Sequence, residues 1–255
     1  MLPAEPPFTK GLREDRAKEA TVVLASDGMP YLKRINELAA YSAAEVARFL
    51  GIPVTTVRAW IRGQPYMTKS GERLFRRVIV PADPGTGSLS FGNLIEIFVL
   101  NSLRRVHGVP LRNIRSAIER TRKDFWTDHP LCDLDLLTDR TDLFIEQFGE
   151  YLNLSKESQI ELKDELVECV RRIDKDSAGI PRRLFPRKDH AGIAIDPRIN
   201  FGRPSIVGSG IPTEVVFERF ASGEDLDFLA RDYRCERQLI QEAVEYERHS
   251  RKAAA

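Results

Sequence analysis

Residues 41–63, YSAAEVARFLGIPVTTVRAWIRG, read as two short helices joined by a tight turn. Ser42 stands where an N-cap is wanted, and Glu45, three residues on, completes a capping box. Val46, Ala47, Phe49 and Leu50 give the first helix an apolar face. Gly51 supplies the left-handed stop, and Pro53 opens a second helix. Val57, Trp60 and Ile61 recur there at helical spacing, so Thr55, Arg58 and Arg62 are predicted to face outward.

The spacing resembles the DNA-binding helix-turn-helix. Small Ala47 precedes turn Gly51 by four residues, and Val57 and Trp60 fill the two apolar positions of a recognition helix. An ordinary αα-hairpin carries the same signals, so the surrounding chain must decide. From Val54 to Lys123, thirteen Lys/Arg face four acids, which puts positive potential where phosphate contacts would be made.

Behind the hairpin the period changes. Lys69-Ser70-Gly71-Glu72 reads as a turn between two extended runs, the second from Leu74 to Val80. A β-hairpin in this place is a wing, and Lys69, Arg73, Arg76 and Arg77 suit it to phosphate oxygens. The alternative is a solvated basic hairpin. Ser90 then caps an apolar helix, Phe91 to Val106, stopped by Gly108 and Pro110. A further helix, Leu111 to Arg122, sets Leu111, Ile114, Ala117 and Ile118 on one face. From Tyr41 to Lys123 this order resembles the DNA-binding region of MerR-like regulators. The apolar helix has more hydrophobic surface than one small domain needs, so a homodimer is expected through it.

Composition sets the outer limits. With 255 residues, 42% hydrophobic and 30% charged, the chain is globular and has room for two or three small domains. No apolar run approaches a membrane span, the N-terminus lacks the order of a secretion signal, and a cytoplasmic location is expected. Cys132, Cys169 and Cys235 are scattered, which suggests neither disulfides nor a zinc site.

From Asp124 to Glu168 the charge inverts, with thirteen acids against three bases. Asp133, Asp135, Asp139 and Asp142 invite a metal or nuclease reading, but the calcium-loop spacing fails at Leu137 and turn roles are preferred. Leu143–Phe148 and Tyr151–Leu154 are predicted to form a hairpin around Gly149-Glu150. Ser155 is predicted to start a long helix burying Ile160, Leu162, Leu166, Val167, Val170 and Ile173. The segment 179–188, GIPRRLFPRK, is a basic linker or a strand between modules. Past Ile193, short extended pieces punctuated by glycine and proline precede three helices, the first capped by Thr213. Gly208 and Gly210 lack the third glycine and the lysine of a phosphate loop, so no nucleotide or other cofactor is expected.

FGRP at 201–204, GSGIPTEVV at 208–216, ASGEDLDFLARDY at 221–233 and IQEAVEYE at 240–247 resemble the small prokaryotic family known as domain of unknown function 433. With the helix-turn-helix before them, the whole chain is similar to the longer VapB-type antitoxins of that family. The resemblance implies a non-enzymatic antitoxin. It would neutralise a PIN-like ribonuclease toxin and bind double-stranded promoter DNA to autorepress transcription, as a homodimer or a higher toxin-antitoxin assembly. The alternative is a MerR-like regulator with a ligand-sensing C-terminal half and no toxin.

Such a nuclease has a carboxylate-lined site, so Arg182, Arg183, Arg187, Lys188, Arg198 and Arg203 are its candidate contacts, with Phe185 and Phe201 as apolar anchors. They equally well stitch the last module to the rest. On DNA, Thr55 and Arg58 are the candidates for base edges; Thr56, Arg62 and the wing cations are those for phosphates. The expected fold is α+β and mostly helical. Its parts are an N-terminal arm (1–40), a winged helix-turn-helix (41–123), an acidic middle with hairpin and long helix (124–178), a basic linker (179–192), and a C-terminal module of small β-strands and three helices (193–255).

Overall fold

The Ser42 hydroxyl accepts the Glu45 amide at 3.2 Å, and the Glu45 carboxylate accepts the Ser42 amide at 2.8 Å. Helix α1, Ala43–Leu50, thus starts with the predicted capping box and ends on Gly51 at φ 64. The computed structural model describes residues 35–68, 71–104, 111–127, 129–133, 136–137 and 140–254. Most of the arm, the wing turn at Lys69 and Ser70, and the stop at 108–110 lie outside them.

Helix α2, Val54–Arg62, follows Pro53 and buries Val57, Trp60 and Ile61. The wing is the antiparallel pair β1, Gln64–Thr68, and β2, Gly71–Phe75. The second run ends at Phe75, short of the predicted Val80. The Val78 and Ile79 amides bond instead to the Trp60 carbonyl, at 2.7 and 3.1 Å. Helix α3, Phe91–Leu103, is capped by Ser90 and Asn93. Helix α4, Leu111–Asp124, buries Ile114, Ala117 and Ile118 as predicted.

The acidic middle departs from expectation. Residues predicted as a hairpin form one helix, α5, Thr141–Leu152, burying Phe144, Ile145, Phe148 and Leu152 at helical spacing. Gly149 is no turn residue: a Cβ there would lie 2.7 Å from Gln159 Cγ, so it admits a close helix contact. Ser155 caps α6, Lys156–Val170, as predicted, and Leu162, Leu166, Cys169 and Val170 are buried. Ile160 is exposed, which corrects one expected core position; Ile173 is buried as expected but lies in the strand that follows the helix. Helix α6 packs on α3, of which eleven of thirteen residues are buried. The apolar surface that suggested a dimer helix is therefore covered within the chain.

Strand β3, Ile173–Lys175, pairs with β4, Pro181–Leu184, so the basic segment includes a strand. In the last module, β5, Ile193–Ala194, pairs with β6, Ser205–Ile206. Helices α7, Thr213–Ala221, α8, Leu226–Tyr233, and α9, Arg237–Ala254, follow. Thr213 is the first helical residue rather than the cap, and Pro212 precedes it. The fold is α+β and mostly helical, with two-stranded antiparallel sheets.

One apolar cluster runs from Tyr41 through the acidic middle to Ile195, and a second joins Ile193 to Tyr246. Between them α9 packs against α1. The buried Tyr246 hydroxyl donates to the Phe49 carbonyl at 2.7 Å. Glu247, 1% exposed at its side chain, meets Arg48 at 2.9 Å and Arg251 at 3.4 Å. It also accepts the Thr213 hydroxyl at 2.7 Å. A second contact sets Tyr41 against Gly202, where any Cβ would collide with the tyrosine hydroxyl. Gly202 has φ 73, in the region that favours glycine.

Removing Glu247 takes from Arg48 its nearer carboxylate, leaving Glu214 at 3.5 Å, and leaves the Thr213 hydroxyl with its longer bond to the Pro204 carbonyl at 3.3 Å. Glu247→Ala is expected to lower unfolding free energy by about 3 kcal/mol, the low end for a broken buried pair. Urea denaturation measures it. Gly202→Ala combines left-handed strain with overpacking and is expected to cost about 2–4 kcal/mol. The buried Tyr41 hydroxyl has no hydrogen-bond partner among the described residues. Tyr41→Phe is therefore expected to be neutral or stabilising by up to about 1 kcal/mol. A destabilisation above that from Tyr41→Phe would contradict this account of the seam.

Candidate nucleic-acid interface

Helix α2 has a sealed side and an open side. Trp60 is 1% exposed, Val57 and Ile61 are buried with it, and Arg104 stacks 5.9 Å from the Trp60 ring centre. The opposite edge presents Thr55, Arg58 and Arg62, all exposed, with Thr56 half-buried. A helix held from behind by its own core cannot roll, so these side chains are offered in fixed register.

The bonds from Val78 and Ile79 to the Trp60 carbonyl pull the segment after the wing against the end of α2. Exposed Arg76 and Arg77 thus come beside Arg62. They lie just past β2 rather than within the wing strand. Arg73 sits in β2 opposite Tyr66, while Lys69 lies outside the described residues.

A cleft of about 410 Å³ opens at this junction, lined by Arg62, Arg76, Arg77, Arg115 and Arg122. The last two come from α4 and are site residues that sequence reasoning missed. The available signal was their seven-residue spacing, which keeps them on one helix face, away from buried Ile114, Ala117 and Ile118.

The proposed partner contacts divide. Arg183 lies 3.8 Å from Asp174 and 3.9 Å from Asp196, and stacks over half-buried Phe185. Arg198 grips Asp196 with two bonds. Burial works against the Asp196 charge, but the bonds from Arg198 outweigh it and hold that carboxyl below its usual range. Lys188 pairs with Glu168 at 3.2 Å, Arg187 with Asp189 at 4.0 Å and Arg203 with Glu214 at 3.9 Å. These cations make contacts within the chain. Arg182 is exposed, and Phe201 is 89% exposed. Phe201 stands at φ 55 between Asn200 at φ 49 and Gly202 at φ 73, three left-handed residues in succession.

The acidic cluster of the middle region is partly described. Asp133 accepts the Leu136 amide at 3.2 Å, and Asp142 pairs with Lys163 at 2.5 Å. Asp135 and Asp139 lie outside the described residues. The acidic helix pair α8–α9 packs against α7 and α1, in keeping with its reading as a packing surface.

Comparison with known proteins agrees with these parts. Residues 39–118 match the family described as "Putative DNA-binding HTH domain", and residues 193–246 match "Protein of unknown function (DUF433)". The chain is 29% identical over 212 residues to "Putative antitoxin VapB45" of Mycobacterium tuberculosis, covering 76% of this chain and 87% of the relative. It is 26% identical to the uncharacterized protein Rv2308 of the same organism, covering 84% and 92%. The crystal structure of Rv2018, also from Mycobacterium tuberculosis, shares the fold with a TM-score of 0.60 and 23% identity, over 81% of this chain and 98% of that one. The chain thus sets a region similar to a DNA-binding helix-turn-helix ahead of a region that matches DUF433, and over most of its length it is similar to a protein named as a VapB-type antitoxin.

Proposed function

We propose that this protein is the antitoxin of a toxin-antitoxin pair, acting by binding rather than catalysis. Its N-terminal domain holds double-stranded promoter DNA and represses transcription of its own operon. Its C-terminal module captures and silences a PIN-like ribonuclease in the cytoplasm. The similarity to an antitoxin over three quarters of the chain supports the pairing. The observation that carries the DNA half is the open edge of α2, where Thr55, Arg58 and Arg62 project from a helix locked by Trp60. Among the described residues no helix is long and apolar enough to cross a membrane.

For the partner half, the exposed Phe201 on its left-handed loop is the best anchor. A large apolar ring held out by strained backbone has the chemistry of an interface hot spot. Exposed Arg182 has the charge to meet a nuclease carboxylate. The other cations named above are engaged in ion pairs within the chain. The cavity beside the module, between Arg183, Asp196, Ile199 and Val207, is about 30 Å³. That is room for about one water and lends no support to a small-molecule sensor there.

Arg58→Ala is expected to cost about 1–3 kcal/mol on the operator and relax preference at one base pair, measured by electrophoretic mobility shift on a substituted operator series. Arg76→Ala should instead weaken all sequences alike and flatten the salt dependence. An unchanged operator preference in Arg58→Ala would remove α2 as the reading helix. Phe201→Ala is expected to weaken the toxin complex by about 2 kcal/mol or more in calorimetry. The toxin is sought as the product of the adjacent reading frame, through co-purification and loss of its metal-dependent RNA cleavage. Failure to bind that product would sink the antitoxin half.

A further inference from the structure

The arginine cleft has a shape and charge that the helix-turn-helix and wing do not require. Arg62 reaches it from α2, Arg76 and Arg77 from the segment behind the wing, and Arg115 and Arg122 from α4. Glu119 is its acidic lining residue and lies 3.9 Å from Arg115. Five guanidinium groups facing one carboxylate leave a strong local excess of positive charge. Guanidinium forks match phosphate oxygens in geometry, and they desolvate more easily than lysine ammonium groups.

Two details indicate a built site rather than a chance gathering of surface arginines. Arg115 donates to the Arg76 carbonyl at 3.4 Å, so the two walls are tied together. The Arg122 Nε is buried and has no hydrogen-bond partner among the described residues. A buried donor left unmet is unfavourable, and an arriving acceptor would relieve it.

We propose that this cleft is a phosphate-binding site that takes the sugar-phosphate backbone flanking the operator, carrying the DNA footprint past the wing onto α4. The proposal rests on the DNA reading of α2, because Arg62 belongs both to the open edge of that helix and to the cleft. A polyphosphate anion offers the same chemistry from a different source. A volume of about 410 Å³ lies within the range of small-ligand pockets, so the experiment must separate the two.

The full-length protein is compared with the variant Arg115→Gln/Arg122→Gln, which keeps a polar, hydrogen-bonding side chain at both positions and removes both charges. Arg77→Gln serves as a second variant, because Arg77 is exposed and its replacement leaves the fold intact. In calorimetry at low salt, sodium triphosphate is expected to bind the wild type and to bind each variant less tightly, roughly tenfold or more for the double variant. On an operator duplex with long flanks, the slope of log affinity against log salt should fall by about 1.8 in the double variant, about 0.9 for each phosphate no longer neutralised. On a duplex trimmed to the recognised core, wild type and variant should coincide.

Equal triphosphate binding by wild type and both variants, or none by the wild type, overturns the site. Triphosphate binding that the variants abolish, with unchanged slopes on long duplexes, overturns the DNA source and assigns the cleft to a free anion. Arg58→Ala keeps the two readings apart. If it abolishes operator preference while the cleft variants do nothing, α2 stands and the cleft falls. If it does nothing while the cleft variants lower the slope, the cleft stands and the assignment of α2 falls.

Discussion

Glu247 sits in the seam between two apolar cores with its carboxylate shared among Arg48, Arg251 and Thr213. A buried carboxylate needs such partners, since leaving a buried charge unpaired costs several kcal/mol, a large part of a domain's net stability. Each partner comes from a different place in the fold: α1, the next turn of α9, and the start of α7. They converge on one carboxylate in only one arrangement of the two halves. An apolar seam of similar area would admit sliding. The charged seam fixes how the DUF433 module meets the helix-turn-helix, and the Tyr246 bond to the Phe49 carbonyl repeats the constraint one residue away.

That constraint falls on α1, the helix behind α2. Val46, Ala47 and Phe49 face the large core, while Arg48 is turned toward α9. Helix α2 therefore has its partner α1 braced from the far side, and its own Trp60 carbonyl is occupied by the segment that follows the wing. The open edge of α2, proposed for DNA, is stiff because everything behind it is already committed. Rigid support of this kind places base contacts more reproducibly than a loop does.

What the sequence disclosed is local. The box at Ser42–Glu45, the caps at Ser90 and Ser155 and the stop at Gly51 depend on residues within a few positions of each other, and all are legible. Residues 143–154 mislead because Gly149 has two meanings, a turn or a close helix contact, and only the facing Gln159 decides between them. The basic residues around 182–203 likewise admit two readings, as toxin contacts or as stitches between modules. Arg183, Lys188 and Arg203 find their acidic partners Asp174, Asp196, Glu168 and Glu214 on other elements, and pairing across elements leaves no spacing signal. The bond between Arg48 and Glu247, 199 positions apart, is of the same kind.

The loop at 200–202 gathers these points. Left-handed backbone at a residue with a side chain costs about 1–2 kcal/mol, and Asn200 and Phe201 both adopt it. Asn200 recovers part of this through its side chain, which bonds the Ser205 hydroxyl at 2.9 Å and the Gly210 carbonyl. Phe201 has no polar side-chain group with which to do the same, and its ring is 89% exposed. The neighbouring Gly202 is pressed under Tyr41, the first residue of the helix-turn-helix stretch. A tight turn that drives one residue inward against the helix-turn-helix must throw its neighbour outward, and here the outward residue is aromatic. The surface proposed for the toxin and the head proposed for DNA are therefore joined through packed residues, Phe201 to Gly202 to Tyr41, rather than through a linker.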